Sequence, residues 1–284
     1  MLHIEDFQNS KNQPVIIIGM HRSGTSMLTR ILGQHGLFIG KDVQDNYESM
    51  LFMMANNSIF ATCNATWNKP FGVHLALQNS NLISSLSNSV VNYLEFYGAR
   101  YFGTGENGAG EFPDVNYIWG WKDPRNTFTL PVWKHIFPDS KIIHILRHGV
   151  DAAYSLYQRD WVKQDIKSYI SSLATVRDEM GLIHARPSSS LEQAFLLWED
   201  YVEKATQYLD ADSINTLQIR YEDFLEEPES ILQEILTFCG IKTDSHTLET
   251  LETFDSSRAF SYKNSPELLE FANRWSDTLA RYGY

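Results

Sequence analysis

The sequence predicts a three-layer α/β fold, a mainly parallel sheet of about four to five strands with helices on both faces. Three observations lead there. Four short apolar runs, VIII at 15–18, YIWGW at 117–121, KIIHIL at 141–146 and NTLQI at 215–219, alternate with stretches of helical periodicity, and such alternation builds parallel sheets. The first run passes directly into GMHRSGTSML at 19–28, a glycine-rich turn that opens a helix. At 284 residues the chain is long enough to bury one large core. We read a single domain over 1–284, with an N-terminal arm at 1–13 and a mainly helical insertion at 41–115.

The elements follow in order. After VIII, a helix is expected from Thr25 to His35, with Met27, Leu28, Ile31 and Leu32 on its buried face and Gly36 as its stop. LFIG at 37–40 offers a short fifth strand. The segment 41–115 is rich in Asn, Phe and Met; ligands of open parallel sheets sit beyond the carboxyl ends of the strands, so this insertion belongs to the acceptor side. GTGENGAGE at 103–111 reads as a solvated connection, with a lid as the alternative. Ser189 and Glu192 fit a capping box for a long helix in which Phe195, Trp198 and Val202 recur at helical spacing. Pro228 opens another helix that Gly240 ends, and a last one spans Pro266 to Arg281.

Composition excludes several functions. With 35 acidic residues against 23 basic ones the formal net charge is -12, which argues against gripping nucleic acid through a broad basic surface. Any bound anion must meet a local basic pocket. No run approaches the roughly eighteen apolar residues of a membrane span, and the polar start lacks the regions of a signal peptide. A cytoplasmic protein without a membrane partner is expected. Cys63 and Cys239 are far apart, which suits small core residues better than a disulfide framework or a zinc site. His144 and His148 fall at a strand end and turn, so no metal is expected there.

The turn after VIII carries the chemistry. A strand, a glycine-rich turn and a helix gather backbone N–H groups at the positive end of a helix dipole, and so receive an anion. The nucleotide-triphosphatase version reads GxxxxGK and then Ser or Thr. Here Gly19 and Gly24 keep the glycine spacing, which makes the fold P-loop-like, but Thr25 stands in the lysine position, followed by Ser26. Arg22 is the strong cation inside the turn. A triphosphatase places a magnesium-holding Asp at the end of a core strand; ILRHGVDAAYSL places Arg147 there instead, with Ser155 eight residues later. The ligand reads as a nucleotide with two separate phosphates, one on the turn and one between Arg147 and Ser155, with no need of a metal.

In order, HRSGTS, WKDPR, RHGVDAAYS and RYEDFLEEP resemble the motifs of sulfotransferases that use 3′-phosphoadenosine 5′-phosphosulfate (PAPS) and release the 3′,5′-bisphosphate (PAP). The resemblance covers 15–228. It implies that Arg22, Ser23, Gly24, Thr25 and Ser26 surround the phosphosulfate, that Arg147 and Ser155 hold the 3′-phosphate, and that Tyr221 lies near the adenine. Lys122 matches the lysine of the KDP motif in the tyrosylprotein branch, where it helps stabilise the transferring sulfuryl group.

Sulfuryl transfer spreads charge over equatorial oxygens and the departing phosphate, so positioning and electrostatics do most of the work. A base must also take the acceptor's proton. Relatives use either a histidine or a carboxylate shortly after the first helix. GKDVQDNYES fits the latter, with Glu48 first and Asp45 and Asp42 behind it; His74 is an outside candidate for the base, and His21 is a candidate contact to donor or acceptor, both against a default of neither role. The competing assignments are structural: an Arg147–Asp151 salt bridge, a KDPR network of Lys122, Asp123 and Arg125, a core Tyr221, and ordinary loop charge at Arg258 and Lys263, which otherwise close over the donor. The expected acceptor is a small molecule, neutral or cationic. The rival functions are a P-loop kinase of a nucleoside or metabolite and a non-catalytic sensor of adenosine bisphosphate.

Overall fold

The computed structural model describes residues 2–103, 115–170, 190–242 and 255–284. Along the chain run α1 (Ile4–Gln8), β1 (Val15–Ile18), α2 (Thr25–Gln34), α3 (Met50–Thr62), α4 (Phe71–Ala76), α5 (Ser80–Phe102), β2 (Gly120–Lys122), α6 (Asn126–Ile136), β3 (Lys141–Leu146) and α7 (Gly149–Ile170). Then come α8 (Leu191–Ala211), β4 (Thr216–Arg220), α9 (Tyr221–Glu226), α10 (Pro228–Cys239), α11 (Pro266–Arg274) and α12 (Ser276–Arg281).

The four strands form one parallel sheet in the order β2-β1-β3-β4. Successive side chains of a strand face opposite ways, and β1 shows it. Ile16 and Ile18 enter a core built with α3, α5, α6, α7 and α8, whereas Val15 and Ile17 enter a second core with α2, α9 and α10. A parallel sheet covered on both faces needs continuous apolar strands; VIII is one without interruption, and KIIHIL departs from it at Lys141 and at the buried His144. Among the described residues, no helix is long and apolar enough to cross a membrane.

Several boundaries differ from the sequence reading. The second strand is Gly120–Lys122, later than 117–121, and LFIG contributes a single parallel bridge, Phe38 to Trp119. Gly36 and Gly40, both at positive φ, bracket that bridge and turn the chain away. Met27 is only half-buried and lines a cavity, while Leu28, Ile31 and Leu32 carry the buried face of α2. The cap of α8 is Ser190, whose hydroxyl accepts from the Gln193 N–H at 3.2 Å; Ser189 lies outside the described residues, as do 104–114 and with them nearly all of GTGENGAGE. The expected helix from Pro266 to Arg281 is two helices that meet at Trp275. Gly240 ends α10 in the left-handed conformation, as its position after the last periodic residue predicts. Cys63 and Cys239 are both free, the second buried.

Candidate active site

β1 ends against the turn at 19–24, and α2 starts at once. Gly24 is the N-cap of α2 at φ +96°, and a Cβ there would meet the Tyr221 ring at 2.5 Å. The glycine therefore does two things: it takes a left-handed backbone and lets the ring at the end of β4 approach. It brings no side chain to cap the helix, so the first-turn N–H groups stay open to an anion. Arg22 also holds a positive φ, +72°.

Around this turn lies a cavity of about 530 Å³ lined by Arg22, Gly24, Thr25, Ser26, Met27, Arg30, Asp45, Tyr47, Arg147, Tyr221, Leu225, Asp255 and Arg258. Four arginines face two aspartates there. The Arg22 Nε donates to Ser155 Oγ at 3.0 Å, so its guanidinium reaches toward the hydroxyl assigned to the second phosphate. Burial, then the neighbouring charges of Arg159, Arg147 and Arg258, lower the proton affinity of Arg22. Arg147 leans over the Tyr221 ring at 4.7 Å and donates to the carbonyls of Arg22 at 3.0 Å and Arg258 at 3.3 Å. Its Nε is shut from water with no partner. Arginines crowded together, with a donor unsatisfied, fit a polyanionic ligand. Ser23 is buried behind the turn, and Asp45 is exposed at the cavity.

Behind the cavity sits a second constellation. Lys122, the last residue of β2 and 1% exposed, donates from Nζ to Ser26 Oγ at 3.2 Å, the Asn46 carbonyl at 2.8 Å and Glu48 Oε1 at 3.1 Å. Burial lowers its proton affinity, and Glu48 opposes that shift. The other Glu48 oxygen, Oε2, accepts from Arg125 at 2.9 Å. Arg125 continues to Asp123 Oδ1 at 2.8 Å and Asn57 Oδ1 at 2.6 Å. Asn56 underpins the group, donating to Asp123 at 2.8 Å and accepting from Thr129 and Trp133. The KDPR turn is thus a buried network, and Lys122 is its link to the anion turn.

The remaining candidates are scattered. Asp42 Oδ2 accepts from Ser49 Oγ and the Leu51 N–H, tying down the start of α3. His21 packs edge-on against Trp67 at 4.5 Å, and its Nε2 has no partner. Burial first, then Arg159, Arg125, Lys122 and Arg22, hold the ring well below the usual imidazole range, so it is neutral at pH 7. His74 lines a different cavity of about 360 Å³, with Phe71, Phe128, Asp200 and Glu203. Lys263 lies over the Phe260 ring. Asp151 does not pair with Arg147; it accepts from Ser261 and Tyr262. Among the described residues no His, Cys, Asp or Glu group has a metal's spacing.

Sequence reasoning missed Arg30, Tyr47 and Asn57. Arg30 was readable, because it lies three and four residues beyond Met27 and Ser26 on one face of α2; Tyr47 and Asn57 left no local signal.

A family model described as "Sulfotransferase family" matches residues 14–245. The chain belongs to the sulfotransferase family. Solved structures agree on its fold. A sulfotransferase domain from the curacin biosynthetic pathway is 15% identical, with a TM-score of 0.53 over 94% of this chain and 99% of that one. A sulfotransferase from Alicyclobacillus acidocaldarius is 19% identical at a TM-score of 0.50, over 95% and 94%. A sulfotransferase domain from the Synechococcus PCC 7002 olefin synthase is 17% identical at 0.50, over 93% and 85%. No curated protein matches this chain. Members of this family generally use PAPS and release PAP.

Proposed function

We propose that the chain is a PAPS-dependent sulfotransferase acting on a hydroxyl or amine of a small-molecule acceptor, neutral or cationic, without a metal and in the cytoplasm, with no nucleic-acid or membrane partner. The observation that carries the reading is the four-arginine cavity at the uncapped start of α2, with the buried Lys122 ammonium bonded to Ser26 of the same turn.

The reaction forms a bond from the acceptor oxygen or nitrogen to sulfur and breaks the bond from sulfur to the phosphate oxygen, whose electron pair leaves with the bisphosphate. Arg22 and the first-turn N–H groups stabilise that departing charge. Lys122, which already touches the turn, turns from Glu48 to the sulfuryl oxygens. That frees Glu48 Oε1 to take the acceptor proton, while Arg125 keeps the other oxygen in place. Asp45 is the alternative carboxylate, at the cavity but outside this network. A chain of net charge -12 that holds its excess carboxylates away from the donor cavity favours a neutral or cationic acceptor over a polyanion.

Thermal unfolding with PAP, ADP, and ATP with and without Mg²⁺ tests the reading. PAP at about a hundred times its dissociation constant should add roughly 2.7 kcal/mol, independently of metal. The Arg22→Ala variant should keep its fold and lose transfer. Stabilisation by ATP·Mg²⁺ alone would hand the site to a kinase, and PAP binding without transfer to any acceptor would leave a sensor.

A further inference from the structure

The segment 255–264 has no strand or long helix of its own. It consists of two short 3₁₀ turns, Ser256–Arg258 and Ser261–Asn264, whose backbone bonds are local: Arg258 to Asp255, Ala259 to Ser256 and Lys263 to Phe260. Yet it carries Arg258 to the donor cavity. Something in the body of the protein must hold it there.

The holding group is Asp151, in the first turn of α7 and 3% exposed. Its Oδ2 accepts from the Ser261 N–H at 3.0 Å, and its Oδ1 accepts from Ser261 Oγ at 2.8 Å and the Tyr262 N–H at 2.7 Å. Residues four apart share a helix face. The face of α7 that offers Ser155 to Arg22 therefore offers Asp151 to the segment. Tyr262 stacks on His148 at 4.2 Å, and Phe260, at φ +52°, reverses the chain between the anchored Ser261 and Arg258. At the near end the Arg258 carbonyl accepts from Arg147. The Arg258 side chain is 70% exposed and meets Asp255 at 3.6 Å, a contact too exposed to fix it strongly.

We propose that Asp151 is a positioning residue for the donor: by fastening Ser261 and Tyr262 it sets Arg258 against the anion held by Arg147. This rests on the donor reading above. The motif RHGVDAAYS would then carry three tasks at four-residue spacing, with Arg147 and Ser155 at the ligand and Asp151 behind the strap.

The test measures PAP affinity by calorimetry, and donor KM and kcat, for Asp151→Asn, Arg258→Ala, their double mutant and Ser261→Ala. Asparagine replaces one accepting oxygen with an amide that faces an N–H. Asp151→Asn and Arg258→Ala should each weaken PAP and raise donor KM by about tenfold with kcat nearly unchanged, and the double mutant should be no worse than either, because both act through one contact. Ser261→Ala, which deletes one bond of the three and leaves the fold least disturbed, should show the same KM shift at smaller size. Trypsin should cleave after Arg258 or Lys263 faster in Asp151→Asn than in the wild type, whether or not PAP binds. Unchanged PAP affinity in Asp151→Asn and Ser261→Ala, multiplying defects in the double mutant, or unchanged cleavage would overturn the proposal. A wild-type protein that ignores PAP would instead overturn the donor reading, and with it the task given to Arg258.

Discussion

The donor cavity and the Lys122 network lie on either side of Ser26, and they treat charge in opposite ways. In the cavity four arginines outnumber two aspartates, and Arg147 keeps a nitrogen without a partner. In the network two cations, Lys122 and Arg125, meet two carboxylates, Glu48 and Asp123, with bonds of 2.8 to 3.1 Å. The first carries more cationic than anionic side chains; the second is neutral by itself and out of water. On the proposed reading, a bound anion would balance the first region, whereas the second is already balanced by the protein's own groups.

The largest expected effect comes from opening the balanced side. Glu48→Ala leaves Lys122 and Arg125 buried beside too little negative charge, which should cost about 3–5 kcal/mol of stability in urea unfolding. An unaltered midpoint would mean that water enters the network freely, and the contrast between the two regions would fail.

Acid attacks the sheet beneath both regions. His144, in the middle of β3, bonds to Gln218 Oε1 through Nδ1 at 3.0 Å, and burial pushes its pKa down to about 4. A depressed folded value means that the unfolded chain binds the proton first, so this contribution is present above the unfolded pKa near 6.5 and is lost as pH falls toward 4. Roughly 3 kcal/mol should go between pH 7 and pH 4 from this residue. His144→Gln should flatten that part of the stability profile; a profile identical to the wild type's would remove His144 from the account.

The smallest effect is on the cation-rich side. Arg147→Ala should lose about 1.5–3 kcal/mol of PAP binding, as expected for a hydrogen bond to a charged group, while the free protein melts nearly where the wild type does. A large loss of stability in the free protein would show that Arg147 serves the fold as much as the ligand.

Much of this was legible in sequence because it is local. VIII, the two glycines five apart and the alternation of runs and helices specify the sheet and its anion turn within a few residues. Arg147 at the end of a strand and Ser155 eight residues later, in the next helix, could be read as a pair; Asp151 lies one turn before Ser155 on that helix. What could not be read depends on distant partners. Glu48 could be picked out of GKDVQDNYES as a candidate base, but not as a carboxylate already bonded on both oxygens; only the fold brings Arg125 and Lys122, 77 and 74 residues away, onto them. Asn56 gave no sign that it would join Asp123, Thr129 and Trp133. LFIG has strand composition, yet two glycines at positive φ limit it to one bridge, and the last helix breaks at Trp275, whose ring packs on Phe195.

The backbone of Arg22 has a consequence for how this protein can change. A non-glycine residue at φ +72° sits in a region that L-amino acids avoid by roughly 1–2 kcal/mol, and glycine would occupy it at no such cost. The position is one where stability and charge want different residues. Selection for heat resistance alone would drift toward glycine and empty the turn of its guanidinium, so the most robust descendants of this chain would be those that had given up that charge.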